Sequence, residues 1–221
     1  MTDGNLEALE EAEFVRDLLV PYGRRGQPAM VQIGANDGVN EYAKVGGRDF
    51  VHGFLQQNPQ WRALLVEPIP EVFAQLRESY AGFRNQLSFL NCAITERVED
   101  RMLTLHGKDG KASSLLHQKS GERISVPCLP YPLACRLAGL HRVDFLKIDA
   151  EGYDEIILDG LLRQAEPGDL PAFILWEQLE AETRSITPRL RALGYEVFLT
   201  GRSRTDVWMD RVAIYPGRLM S

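Results

Sequence analysis

The sequence is poor in cysteine, with only Cys92, Cys128 and Cys135 among 221 residues. The three are odd in number and form no C-x-x-C pair, which argues against a disulfide framework or a zinc knuckle and fits a reducing cytoplasm. Long apolar runs are absent as well. Stretches such as Ala63–Val66 and Ala172–Trp176 fall far short of the ~20 residues that cross a bilayer, so no membrane is expected. At the start of the chain Asp3, Glu7, Glu10, Glu11 and Glu13 precede the first arginine; a secretory signal, with its basic and then apolar segments, is not expected. Positive charge is in deficit, at 25 Lys+Arg against 31 Asp+Glu for a formal net charge of -6. That sign opposes broad binding to a phosphate backbone, so nucleic acid is not an expected partner. Histidine is scarce too, and none of the four has H-x-x-x-H spacing.

What remains is an ordinary globular composition, 44% hydrophobic and 25% charged, without repeats or low-complexity linkers. The length suits one α/β core. We expect a helical extension over residues 1–26 and one domain over 27–221. In the extension Leu6, Leu9, Ala12, Val15 and Leu19 recur at helical spacing, with Pro21, Gly23 and Gly26 as its end. From Ala29 onward short apolar runs alternate with helical stretches, the pattern of parallel βα units. Strands are expected at Met30–Gly34, Ala63–Glu67, Leu87–Ile94, Met102–His106, Val143–Ile148, Ala172–Trp176, Tyr195–Thr200 and Val207–Tyr215. Helices are expected at Asp49–Gln57, Glu71–Tyr80, Pro130–Ala138, Tyr153–Leu162 and Ala181–Leu193. Gly201 reads as the turn of a terminal antiparallel hairpin.

Three segments carry chemistry. In Val31-Gln32-Ile33-Gly34-Ala35-Asn36-Asp37-Gly38 an apolar strand runs into a turn whose glycines permit close backbone approach at the strand's C-terminal end, where open α/β sheets bind ligands. An Asn-Asp-Gly turn alone is common in loops. In Ala63-Leu64-Leu65-Val66-Glu67-Pro68, however, the first polar residue is Glu67, which emerges at the same sheet edge. A carboxylate there can accept both hydroxyls of a ribose, although it can equally cap the helix that follows. The third segment, Val143 to Tyr153, ends a strand with Asp149, Glu151 and Gly152. Its acids could hold a cationic cofactor group, position a hydroxyl, act as a base, or bind a divalent metal at Asp149 and Glu151; they could also only cap a helix.

A Walker A loop is absent. The dinucleotide fingerprint G-x-G-x-x-G is not met either, since Ala35 and Asn36 follow Gly34. A cofactor with a ribose and no pyrophosphate, such as S-adenosylmethionine, needs fewer close backbone approaches.

The three segments in this order resemble the FkbM family of S-adenosylmethionine-dependent methyltransferases. The matching residues are Gly34-Ala35-Asn36-Asp37-Gly38, Glu67-Pro68 and Lys147-Ile148-Asp149-Ala150-Glu151-Gly152, with Asn91-Cys92-Ala93-Ile94 and Ser113-Ser114-Leu115 between them. The resemblance implies a class I methyltransferase fold: a Rossmann-like α/β sandwich with a seven-stranded, mostly parallel sheet and an antiparallel strand from the C-terminal hairpin. It implies that Gly34, Ala35, Asn36 and Gly38 meet the methionine part, Glu67 and Pro68 the ribose, and Cys92, Ala93 and Ser114 the rest of the nucleoside. Gln32 stands where the family often has an acid, so Asp37 or Asp149 would meet the methionine ammonium. It further implies O-methylation of a hydroxyl on a small natural product or sugar. For an alcohol acceptor, whose proton must leave during attack, Asp149 or Glu151 is the expected base and His117 the next, with Glu177 a further pocket residue.

His52 and His141 read as surface or packing residues, and Trp61, Trp176 and Trp208 as core or hairpin packing. Arg202, Arg204 and Arg211, alternating with Asp206 and Asp210, read as a solvated hairpin. Two other functions compete: a non-catalytic module that keeps a nucleoside pocket, and an NAD-dependent oxidoreductase.

Overall fold

The computed structural model describes residues 10–39, 50–105, 113, 115, 121–166, 168–179, 185–200 and 208–219. Strands are numbered here in chain order. The main sheet holds β1 (Ala29–Ile33), β2 (Arg62–Val66), β3 (Leu87–Leu90), β7 (Phe145–Ile148), β8 (Phe173–Leu179), β9 (Glu196–Thr200) and β10 (Trp208–Ile214). Their order is β3-β2-β1-β7-β8-β10-β9. The neighbours from β3 through β8 pair in parallel, and β10 runs antiparallel to both β8 and β9. The expected seven-stranded, mostly parallel sheet is present, and its antiparallel strand is the last in the chain. That strand lies between β8 and β9 rather than at the rim.

Because side chains alternate along a strand, each central strand serves two layers. Val31 and Ile33, Leu64 and Val66, Leu146 and Ile148, and Ile174 and Trp176 face one core, closed by the Tyr131–Leu137 and Asp154–Gln164 helices. Met30, Ala63, Leu65, Phe145, Phe173 and Leu175 face the other, closed by the Phe50–Gln57 and Pro70–Ser79 helices and the N-terminal helical segment. Strands buried on both faces read as unbroken apolar runs, which is why β1, β2, β7 and β8 fall where the sequence predicts them. Trp61 and Trp176 are fully buried, as expected of core residues.

Residues 11–25 are helical, and Phe14 meets Phe145 and Phe173 edge to face at centroid distances of 5.7 Å. The helix does not stop at Pro21. Phe14–Leu19 forms wide π turns, with Val20 N donating to Val15 O. Such turns accommodate the proline, whose ring and missing N–H interrupt an ordinary α-helical ladder.

The Leu87–Ile94 strand is divided in two. After β3 the chain leaves the main sheet, and β4 (Ala93–Thr95), β5 (Glu99–Thr104) and β6 (Arg123–Pro130) make a separate sheet of order β4-β6-β5. The expected Met102–His106 strand belongs to it, beginning earlier, at Glu99. Leu103, Val126 and Cys128 bury one face of this sheet against Ile69, placing it beside the C-terminal end of β2. The expected turn at Gly201 lies outside the described residues.

Candidate functional site

At the C-terminal edge of β1 the chain turns through Gly34 at φ +75° and Asn36 at φ +50°. Gly34 N and Ala35 N both donate to Val66 O, at 3.0 and 2.9 Å, so the turn stays laced to β2. A side chain at Gly34 would have no room: a Cβ there would lie 1.8 Å from Asp149 O. Within the turn Asp37 N donates to Asn36 Oδ1, Val39 N to Asp37 Oδ1 and Gly38 N to Ala35 O. Gly38 packs under Leu76 and Tyr80.

Glu67 is the focus of the turn. Its carboxylate accepts Asn36 N at Oε2 (3.0 Å) and Ile69 N at Oε1 (2.9 Å). Each oxygen has a second lone pair left for a ligand hydroxyl. Asn91 Nδ2 fixes the backbone around it by donating to Glu67 O and Pro68 O. Burial pushes the Glu67 carboxyl up to about 7 despite the two backbone bonds, which act the other way; the charges of Asp149 and Asp37 add to the rise.

These residues border an open-mouthed cleft at the C-terminal edge of the sheet. Gly34, Asn36, Glu67 and Pro68 form one side. Apolar walls come from Ile69, Val72, Cys92, Ala93, Ile94, Leu103 and Leu115, and the far side from Asp149, Ala150, Glu151 and Tyr153. Ser113 also lines it, while Ser114 and His117 lie outside the described residues. Gln32, Ala35, Asp37 and Gly38 do not line it. Gln32 is fully buried in the sheet, between Leu65 and Lys147 in register, and the other three shape the turn from behind. Sequence reasoning missed Ile69, Val72, Leu103 and Tyr153. Of these, Leu103 arrives through the small sheet.

The acids gather at the ends of β7, β8 and β10. Lys147 Nζ lies 3.3 Å from Asp149 Oδ2, two residues apart on one side of β7. Glu177 and Asp210 are register partners on adjacent strands. Asp154 is 1% exposed and ties two segments together, accepting Ala150 N at 3.1 Å and Glu177 N at 3.3 Å. Arg101 of β5 donates to Tyr153 OH at 2.7 Å, joining the small sheet to the Asp149–Tyr153 loop. Burial raises Glu151 and Asp154 to about 7 and Glu177 to about 8, and the charge of Asp149 adds to each of these shifts. Glu151 also sits at φ +50°, a left-handed conformation that costs an L side chain energy and tends to be kept at functional sites.

Three expectations meet their outcome here. Among the described residues no group of three His, Cys, Asp or Glu is arranged to hold a metal ion, so a divalent metal at Asp149 and Glu151 is not supported. Arg211 is not part of a solvated hairpin: it is 5% exposed, opposite Trp176 in register. His52 is a packing residue, edge to face with Tyr80 and Phe83.

The methyltransferase FkbM domain profile matches residues 32–197, which span all three motifs and the small sheet. The chain belongs to this family. No curated protein matched the sequence. Among solved structures, the methyltransferase FkbM from Methylobacillus flagellatus KT superposes with a TM-score of 0.58 at 18% identity, over 95% of this chain and 48% of that one. The chain thus spans about half the length of that FkbM structure, and the likeness shows the shared class I fold. Two more distant matches are fibrillarin from Aeropyrum pernix in complex with natively bound S-adenosyl-L-methionine (TM-score 0.48, 14% identity, 86% and 67% of the two chains) and the N-terminal domain of human METTL16 in complex with SAH (0.48, 11%, 92% and 68%). No helix among the described residues of this FkbM domain is long and apolar enough to cross a membrane.

Proposed function

We propose that this FkbM domain binds S-adenosylmethionine in the cleft and methylates a hydroxyl group of a small natural product or sugar. The observation that carries the reading is the Glu67 carboxylate, buried at the cleft wall with both oxygens anchored by backbone N–H groups. So anchored, it is preorganised to accept a pair of ribose hydroxyls. The Gly34 turn, which leaves no space for a Cβ, gives backbone access beside it. Cys92, Ala93, Ile94 and Val72 offer the apolar surface an adenine ring needs. No three-glycine turn suited to a pyrophosphate accompanies them, which disfavours a dinucleotide.

The cofactor supplies an electrophilic methyl carbon on a cationic sulfonium. The chain supplies position and proton handling. Asp149, held beside Lys147, brings negative charge to the side of the cleft opposite Glu67. Glu151, whose carboxyl titrates near 7, is suited to take the acceptor's proton as the new bond forms, a contribution of ~10²–10⁴-fold. Orientation of the acceptor oxygen in line with the methyl group supplies up to ~7–11 kcal/mol more. A screen of hydroxylated acceptors with methyl-labelled S-adenosylmethionine tests the reading. Labelled product that depends on Glu151 supports it; transfer to nitrogen or sulfur acceptors only would overturn the hydroxyl assignment.

A further inference from the structure

We propose that a recess at the opposite edge of the sheet is a second ligand site, for a small phosphorylated anion. The recess lies against the N-terminal ends of β1, β2 and β7, remote from the cleft, and has a volume of about 1020 Å³ counted to its open mouth. Arg25, Arg62, Arg142 and Arg218 line it together with His141, and Asp144 is the single carboxylate among its lining residues. In a chain whose formal net charge is -6, these four arginines against one aspartate concentrate positive charge in one concavity.

Asp144 is spent on the fold. It is 5% exposed and accepts Tyr22 OH at 2.8 Å, Ala29 N at 3.0 Å and Arg142 Nε at 2.9 Å. Asp144 also lies 3.8 Å from Arg218 Nη2. Arg62 Nη2 donates to Gly139 O at 3.0 Å, Arg142 Nη2 to Tyr22 OH at 2.9 Å, Arg25 to Leu219 O and Arg218 to Leu170 O. The carbonyls and the phenol orient the guanidinium groups without adding negative charge, which in the recess comes from Asp144 alone among its lining residues. Arg62 Nε is enclosed and has no hydrogen-bond partner among the described residues. An enclosed donor on a cation is costly to leave unpaired. Planar guanidinium groups around one recess match the oxygens of a phosphate group. The arginines line one recess, and the chain as a whole is net acidic, which favours a small anion over a nucleic acid.

A phosphorylated lipid headgroup shares this chemistry, so the test carries both sources. Calorimetric titration of the full chain with inorganic pyrophosphate, with sodium sulfate as control, should show saturable one-to-one binding that weakens as salt rises. Arg62→Gln and Arg142→Gln should each weaken it by about tenfold or more, with melting curves by circular dichroism showing that the variants fold. Should Arg62→Gln fail to fold, Arg25→Gln, whose side chain is exposed, takes its place. No saturable binding up to millimolar pyrophosphate overturns the site. So does binding that the variants leave unchanged, or sulfate binding as tightly as pyrophosphate, which would mean an adventitious ion only. Binding to phosphatidate vesicles without binding to pyrophosphate overturns the free anion as ligand.

Discussion

Asn36 and Glu67, 31 residues apart in sequence, are joined by a 3.0 Å hydrogen bond from the Asn36 backbone N–H to Glu67 Oε2. The bond makes the turn after β1 and the acid after β2 one rigid unit. Asn36 reaches it by adopting φ +50°, a conformation that asparagine tolerates better than most residues.

Replacing Glu67 should weaken ligand binding and also cost stability, because the backbone N–H groups of Asn36 and Ile69 lose their acceptor. On the proposed reading Glu67→Ala removes two bonds to a ribose, each worth ~0.5–1.5 kcal/mol. We expect S-adenosylhomocysteine affinity to fall by more than about tenfold in a protein that still melts cooperatively. Unchanged affinity would remove Glu67 from the site.

Gly34→Ala should be far more disruptive than its size suggests. Its methyl group would meet Asp149 O, and the left-handed backbone alone costs an L residue ~1–2 kcal/mol. Urea unfolding should show a stability loss larger than that, together with loss of cofactor binding. A variant as stable as wild type would show that β1 and β7 are less tightly apposed than described.

Asp154→Asn should separate catalysis from cofactor binding. The amide keeps one acceptor oxygen for two backbone donors, so either Ala150 N or Glu177 N loses its partner, at ~1–3 kcal/mol. Ala150 and Glu177 belong to the segments that bear the acids, so kcat should fall while cofactor affinity changes little. Equal kcat with lower stability alone would make Asp154 purely structural.

The carboxyls set opposite pH trends for the free and the bound protein. Glu67, Glu151, Asp154 and Glu177 keep their protons to about 7–8 in the fold, whereas the unfolded chain releases them near its ordinary values of ~4. The folded state thus binds more protons between those limits. The stabilisation is complete below the unfolded values and is lost as pH rises through the folded ones. The ligand-free protein should melt at a lower temperature at pH 8 than at pH 5.5. Binding of S-adenosylmethionine should instead strengthen over that range, and more steeply than that of uncharged-sulfur S-adenosylhomocysteine, because only the former brings a sulfonium to these acids. A rising melting temperature from pH 5.5 to 8 would contradict the burial of these groups.

Much of this was legible in the sequence because the central strands are buried on both faces and read as largely apolar runs, each closing on a turn or an acid. Glu67 follows four apolar residues directly, and Gly34 follows Ile33. The small sheet was harder to see. In β5 exposed and partly buried residues alternate through Glu99 to Met102, with no apolar run to mark a strand. The break between β3 and β4 falls at Asn91, whose side chain turns back to Glu67 O and Pro68 O. Asp154 resembles any acid in a helix's first turn, and its bond to Glu177 N depends on β7 and β8 lying side by side. Arg211 looks like one of several hairpin charges until the register sets it against Trp176.

The account stands on the cleft being an S-adenosylmethionine site, and calorimetric titration of the purified chain with S-adenosylmethionine, S-adenosylhomocysteine and NADH tests this most directly. It predicts one-to-one binding of the first two and none of NADH. A folded protein that binds neither of the first two, or that binds NADH instead, would contradict it.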